Sequence, residues 1–480
     1  MEKIKNYIDG KLLPPSKNQY IENFNPAKGE IYSLIPDSDD TDVNLAVEAA
    51  QRAFKKWSTT PKQERFSIMM RISELIDQNL DRLAKAESID NGKPFSLAKR
   101  VDIPRARENF KFFATGILHF ASESHFMEEG VINYTLRKPI GVAACISPWN
   151  LPLYLFSWKI APAIATGNCV VAKPSEITPY TAYLLSEICI EAGLPAGVLN
   201  IIHGFGHKVG ASLVAHDKVS LISFTGGTKT GEAIAKTAAP KFKKMSLELG
   251  GKNPNIIFAD CNFDKMLKTT LRSSFANQGQ ICLCGSRIYI EESIYDRFKT
   301  DFVNEVKKLK VGDPLDATTD QGALVSQAHM EKVLSYIQLA KEEGGQILCG
   351  GRQVQLNEKG LKGWFVEPTV IEGLDHTCRT NQEEIFGPVV TLAPFKTEDE
   401  AIEYANATPY GLAATLWSEN NNRVHRLASK IESGIVWVNC WLVRDLRTPF
   451  GGVKNSGVGR EGGFEVFNFF TEPQNVCINY

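Results

Sequence analysis

The chain of 480 residues is longer than one hydrophobic core usually supports, so two or three domains are expected. Its 54 Lys and Arg stand against 55 Asp and Glu, a formal charge of −1, with 43% apolar residues. That balance offers no field to attract nucleic acid or an anionic membrane. The most apolar run, Gly141 to Ala165, is interrupted by Pro148, Pro152 and Pro162 and carries Lys159, which argues against a membrane span. The first residues lack the apolar stretch of a signal peptide, so a cytoplasmic location is expected. The cysteines are scattered without framework spacing and read as reduced thiols. Cys282-x-Cys284 is no metal knuckle, and no metal site is expected.

From Thr41 to about Gln78 apolar residues recur at helical spacing, and again from Ile103 to about His119, with Pro104 suited to a first turn. Between Gly141 and Phe258 four short apolar runs alternate with amphipathic stretches: Val142 to Ile146, Cys169 to Ala172, Val198 to Ile202 and Leu221 to Phe224. Their spacing of roughly 20 to 30 residues is that of βαβ units and predicts a parallel sheet. A second α/β block runs from about Asn253 to Pro449, with a strand at Arg287 to Ile290, a helix from Tyr295 to Leu309 and a strand at Pro388 to Leu392. The tail, Phe467-Asn468-Phe469-Phe470 and Asn475-Val476-Cys477-Ile478, is too apolar to be a free end.

Two segments invite a phosphate. Gly204-Phe205-Gly206-His207-Lys208-Val209-Gly210 is one residue too long for a dinucleotide fingerprint and reads as a tight turn. In Phe224-Thr225-Gly226-Gly227-Thr228-Lys229-Thr230-Gly231 a strand feeds glycines into the first turn of a helix, whose unpaired N–H groups favour an anion. Chemistry points elsewhere: Cys282 in Gln280-Ile281-Cys282-Leu283-Cys284, Glu248 in Leu247-Glu248-Leu249-Gly250-Gly251-Lys252, and Asn150 in Pro148-Trp149-Asn150-Leu151-Pro152. A thiol nucleophile needs a base and an oxyanion donor, and these residues supply a thiol, a carboxylate and an amide. Each alone also reads as a buried thiol, a surface charge and a turn residue.

In these motifs and their order, over essentially its whole length, the chain resembles the NAD(P)-dependent aldehyde dehydrogenases. The resemblance implies a Rossmann-type cofactor domain (1–120 and 140–251), a second α/β catalytic domain (252–449) and a small β oligomerisation extension (121–139 and 464–480). It implies Cys282 as nucleophile, Asn150 with the Cys282 backbone N–H as oxyanion donors, and Glu248 as the base that activates water. Glu248 also argues against the CoA-acylating branch. For the cofactor, NAD, it implies Gly226, Gly227 and Gly231 at the pyrophosphate, and Lys173 and Glu176 at the adenosine ribose. Glu384 and Phe386 would lie at the nicotinamide end. Glu176 would repel a 2′-phosphate. The loop from Phe450 to Gly463 is expected to be structural, and the apolar tail to meet a neighbouring subunit in a homodimer or homotetramer.

Arg105 and Arg444 fall where such enzymes line the substrate tunnel, and their local sequences resemble the 2-aminomuconic and 2-hydroxymuconic semialdehyde dehydrogenases. Guanidinium groups there suit an aldehyde that carries a carboxylate. The alternatives are Arg105 solvated on its helix with Arg444 paired to Asp445, and a broad-specificity or betaine-type enzyme. Arg100, Arg107 and Arg447 are the nearby decoys.

Overall fold

The computed structural model describes residues 1–128, 130–356 and 360–480. The four predicted runs become Val142–Ile146, Cys169–Lys173, Leu199–Ile201 and Val219–Thr225, and Lys244–Glu248 joins them as a fifth parallel strand. Their order is Lys244–Glu248, Val219–Thr225, Val142–Ile146, Cys169–Lys173, Leu199–Ile201. Val142–Ile146 and Cys169–Lys173 are buried at every residue, as continuous apolar strands covered on both faces should be. Antiparallel strands extend both edges. Asn6–Ile8 and Lys11–Leu13 add one side, and Gly457–Val458, from near the end of the chain, pairs with Lys244–Glu248 on the other.

The helical pattern from Thr41 to Gln78 is two helices, Asp40–Trp57 and Lys62–Gln78. Pro61 stands between them, and its missing N–H and fixed φ suit a new start rather than a continuous helix. Asp39 caps the first through a reciprocal box with Asp42. Ile103–His119 forms as predicted, but it continues a wider turn, Ala98–Asp102, in which the Ile103 N–H reaches back to the Ala98 carbonyl.

The second block forms a seven-stranded sheet in the order Gln346–Cys349, Thr369–Glu372, Val389–Phe395, Gly285–Glu291, Asn253–Ile257, Ala413–Trp417, Ile435–Val438, parallel except at its first strand. Helix Tyr295–Val306 packs beside it. A three-stranded antiparallel sheet unites Ser124–Met127, Val131–Pro139 and Thr471–Asn479; Glu129 lies outside the described residues. The apolar tail docks on its own chain: Phe467 and Phe470 enter the core of the first sheet. Phe126, Met127 and Tyr480 stay exposed.

Candidate active site

Glu248 is the last residue of its strand, and the chain crosses from there to Asn253 of the second sheet. It is 4% exposed, and neither carboxylate oxygen has a hydrogen-bond partner among the described residues. Burial, and then the negative charge of Glu461, hold its proton affinity well above the usual carboxylate range against the pull of Lys159, Arg444 and Arg460. Glu461 is buried beneath it, paired to Lys159 at 2.7 Å and accepting from Ser223 Oγ at 3.1 Å. Glu461, on the 450–463 loop expected to be structural, thus lines the same cleft as Glu248. The signal was available in Lys159, a lone lysine inside an apolar run, which needs a buried counter-charge.

The approach to Cys282 is strained. Asn277, Gln278 and Gly279 have φ of 53°, 56° and 68°, three successive residues in a region that side chains other than glycine rarely adopt. The surroundings impose it. Gln278 Nε2 donates to Ala323 O at 2.8 Å, Val325 N donates to Gln280 Oε1 at 3.1 Å, and a Cβ on Gly279 would lie 2.1 Å from Gly387 O. Asn253 Nδ2 then clamps the carbonyl of Cys282 at 2.7 Å and that of Cys284 at 2.9 Å. The Cys282 backbone N–H pairs with no protein acceptor among the described residues. Asn150, 3% exposed, turns its amide to the same loop and donates to Gln280 O at 3.0 Å. Burial, then the charges of Glu384 and Glu248, push the Cys282 thiol far up, so it waits protonated and needs a base.

Cys282 lines two cavities. One is a cleft of about 620 Å³, lined among others by Glu248, Tyr154, Arg105, Arg444 and Trp441. Arg444 donates to Tyr154 Oη at 2.8 Å and stacks over the Phe450 and Trp158 rings at 3.9 and 4.4 Å, while its Nη2 is buried without a partner. The guanidinium of Arg105 sits 5.7 Å from the Tyr154 ring. Neither makes an ion pair among the described residues, and Asp445 pairs with Arg447 instead. Arg100 is exposed at the rim of this cleft, and Arg107 is held by Asp77 and Glu108.

A second, small cavity that Cys282 also lines is bounded by Gly251, Glu384 and Phe386. Glu384 accepts from Gly251 N at 2.9 Å. Phe386 holds a left-handed φ of 63°; His329 Nε2 donates to its carbonyl at 2.7 Å, and Trp149, next to Asn150, meets its ring edge-on at 5.2 Å. Further along, the glycines of the strand–helix turn divide by role. A Cβ on Gly226 would strike the Phe224 ring at 2.4 Å, and one on Gly231 would strike Leu249 at 2.6 Å. These two are glycine for close packing. Gly227 alone faces open space, at the head of helix Thr228–Ala238, whose first turn has no side-chain cap. Lys173 and Glu176 pair at 2.9 Å. Burial works against ionisation of Glu176, but Lys173 and the Gly206 N–H, donated to Glu176 Oε1 at 3.2 Å, hold it ionised below the usual range. The Gly204 turn thus braces the carboxylate.

The sequence pattern of the aldehyde dehydrogenase family matches residues 13–476. The chain belongs to this family. It is 51% identical to bovine (Bos taurus) 2-aminomuconic semialdehyde dehydrogenase, over 99% of this chain and 98% of that protein. It is 46% identical to 2-hydroxymuconic semialdehyde dehydrogenase of Pseudomonas sp. (strain CF600), over the full length of both. Among solved structures, the NAD+ complex of aldehyde dehydrogenase from Bacillus cereus superposes with a TM-score of 0.97 at 36% identity, covering 100% of this chain and 97% of that one.

In this aldehyde dehydrogenase fold Cys282, Glu248, Arg105 and Arg444 share one cleft, with Asn150 against the loop of Cys282, and Glu384 and Phe386 share a second cavity with the same thiol. Cys284 is buried two residues on and lines the small cavity but not the large cleft, its thiol pushed up to about 12 by burial. Among the described residues no helix is long and apolar enough to cross a membrane.

Proposed function

We propose that this chain is an NAD-dependent aldehyde dehydrogenase that oxidises a semialdehyde bearing a distal carboxylate, of the 2-aminomuconate or 2-hydroxymuconate 6-semialdehyde type, to the acid. One observation carries the substrate class: two guanidinium groups with no carboxylate partner among the described residues line the cleft that holds the thiol and a carboxylate likewise without a hydrogen-bond partner there. Arg444 Nη2 is buried without a partner, and a buried donor left so is costly unless a ligand completes it. The names of the relatives above point to the same substrates.

The residues suit NAD on a physical test. The uncapped helix start at Gly227 offers N–H groups to a pyrophosphate, and the ionised Glu176 beside Lys173 can accept from ribose hydroxyls while repelling a 2′-phosphate. Glu384 and Phe386 would hold the nicotinamide end. Bound there, NAD would supply the hydride acceptor.

The chain's own part follows. Glu248 takes the thiol proton, and the Cys282 sulfur bonds to the aldehyde carbon. The carbonyl oxygen becomes an alkoxide held by the Asn150 amide and the Cys282 N–H. Loss of hydride from carbon restores the carbonyl as a thioester. Glu248 releases the first proton to solvent and then removes one from water; the hydroxide adds, the C–S bond breaks, Glu248 returns its proton to the leaving thiolate, and the acid leaves. Arg105 and Arg444 bind the far carboxylate throughout, which fixes the reacting carbon against the thiol.

The eight-stranded sheet would form the core of the cofactor domain and the seven-stranded sheet that of the catalytic domain. The three-stranded sheet, with its exposed Phe126 and Met127, would join subunits of a homodimer or homotetramer in the cytoplasm. The test is NADH formation over a panel of neutral and carboxylated aldehydes. A carboxylated semialdehyde should lead in kcat/KM, and a neutral aldehyde or betaine aldehyde leading instead would overturn the substrate reading.

A further inference from the structure

Lys93 is fully buried, yet none of the steps above uses it. Helix Leu80–Asn91 ends at Gly92, whose φ of 86° turns the chain where a Cβ would lie 2.7 Å from Ala323 O. Lys93 follows. Its ammonium donates to Asp102 Oδ2 at 2.6 Å and to the backbone carbonyl of Asn150 at 3.1 Å, with Glu87 Oε1 at 3.7 Å. Asn277 Nδ2 donates to the same Asn150 carbonyl at 2.9 Å, and the Asn150 amide is tied to Gln280 O on the Cys282 loop. The Asn150 residue is thereby held from both ends. Asp102 closes the wide turn Ala98–Asp102, and Arg105 lies three positions further on, at the start of the helix that follows. Wide turns of this kind are uncommon and recur where a helix must aim a side chain at a site.

Burying an ammonium is unfavourable unless its partners are fixed, and charge-assisted bonds define geometry more tightly than neutral ones. We propose that Lys93 is a positioning residue: it fixes the Asn150 peptide from behind and, through Asp102, the turn that presents Arg105, so the oxyanion donor and the carboxylate end of the substrate site share one buried anchor. This rests on the roles given to Asn150 and Arg105 above.

The test uses Lys93→Met, Lys93→Arg and Asp102→Asn in the full-length protein, with Asn150→Ala in parallel. The readouts are the pre-steady-state NADH burst with a neutral and a carboxylated aldehyde of equal length, NAD affinity by fluorescence titration, and melting temperature. Lys93→Met should slow the burst on the neutral aldehyde about 10- to 100-fold, somewhat less than outright loss of an oxyanion donor. It should slow the carboxylated one several-fold more, leave NAD affinity within about twofold, and be partly rescued by Lys93→Arg. Asp102→Asn should lower the ratio of carboxylated to neutral rates. A Lys93→Met protein that melts earlier but bursts within about threefold of the parent, per NAD-binding site, overturns the proposal, as does NAD affinity that falls in step with the burst. Where Lys93→Met does not fold, an unchanged substrate ratio in Asp102→Asn overturns it. If Asn150→Ala slows the burst and the Lys93 variants do not, this inference fails alone; if Asn150→Ala leaves the burst intact, the oxyanion reading fails first.

Discussion

Replacing Arg444 by leucine separates substrate recognition from scaffold. Arg444 gives one N–H to Tyr154 Oη, rests on Phe450 and Trp158, and has a further buried nitrogen with no partner. Leucine keeps much of the ring contact, frees Tyr154 of one partner worth about 1 kcal/mol, and removes a donor that was buried unsatisfied, so stability should change little. What is lost is the bond to the substrate carboxylate, about 1.5–3 kcal/mol, or roughly 10- to 150-fold in kcat/KM for a carboxylated semialdehyde. A neutral aldehyde of equal length never makes that bond. Arg444 also pulls the Glu248 proton affinity down, so the variant should need a higher pH to ionise Glu248, with either substrate. The measurement is kcat/KM for both aldehydes across pH, compared on the plateau above the Glu248 limb. Equal losses on the two substrates at that plateau would refute the clamp and leave Arg444 as a packing residue.

Cys282→Ser should abolish nearly all oxidation while Cys284→Ser keeps most of it; similar losses in the two would overturn the assignment of the nucleophile. Glu248→Gln should slow both the first burst of NADH and the turnover that follows, because the base for the thiol and for water is gone; a first burst at the parent rate would leave Glu248 acting on water alone. Its melting curve carries a second signature. Glu248 keeps its proton in the fold beyond the pH at which an unfolded chain releases it, so its contribution is present at low pH and lost as pH rises through the folded value. Glutamine has no such loss, and the variant should gain in Tm over the parent as pH rises; a constant difference across pH would contradict the buried carboxylate. Glu176→Gln should narrow the preference for NAD over NADP in kcat/KM, since like-charge juxtaposition costs several kcal/mol. A parent enzyme already indifferent to the 2′-phosphate would contradict that placement. Asn150→Ala should lower the rate on the order of 10²- to 10³-fold in single-turnover measurements.

The parallel strands were legible because both faces are covered, so their residues form unbroken apolar runs that local composition reveals. Pro61 was visible in the sequence, but only the capping on either side distinguishes a kinked helix from two separate ones. The site divides in the same way. Cys282, Glu248 and Asn150 sit in motifs that can be recognised locally. Glu461 and Lys159 are 302 positions apart, and neither flanking sequence announces the other. Lys93 was equally hidden, because a lysine before proline in a polar stretch looks solvated until the fold closes Asp102 and Asn150 over it. The glycines misled in the opposite sense: three in one motif look alike, yet only packing shows that Gly226 and Gly231 accommodate Phe224 and Leu249 while Gly227 is left open.

The crossing from Glu248 to Asn253 takes five steps of the chain, through Leu249 to Lys252, and at no more than about 3.6 Å per step it spans at most about 18 Å. Glu248 ends the first sheet, and Cys282 precedes strand Gly285–Glu291 of the second, so nucleophile and base ride on opposite sides of a short tether. The tether keeps the two sheets close at this point. Any rotation of one sheet against the other there would open the space around the thiol and separate the reacting pair in the same movement. Turnover is therefore a more sensitive gauge of loosening between the sheets than any signal from their interiors. Mild denaturant should silence the enzyme while its strands and helices are still intact.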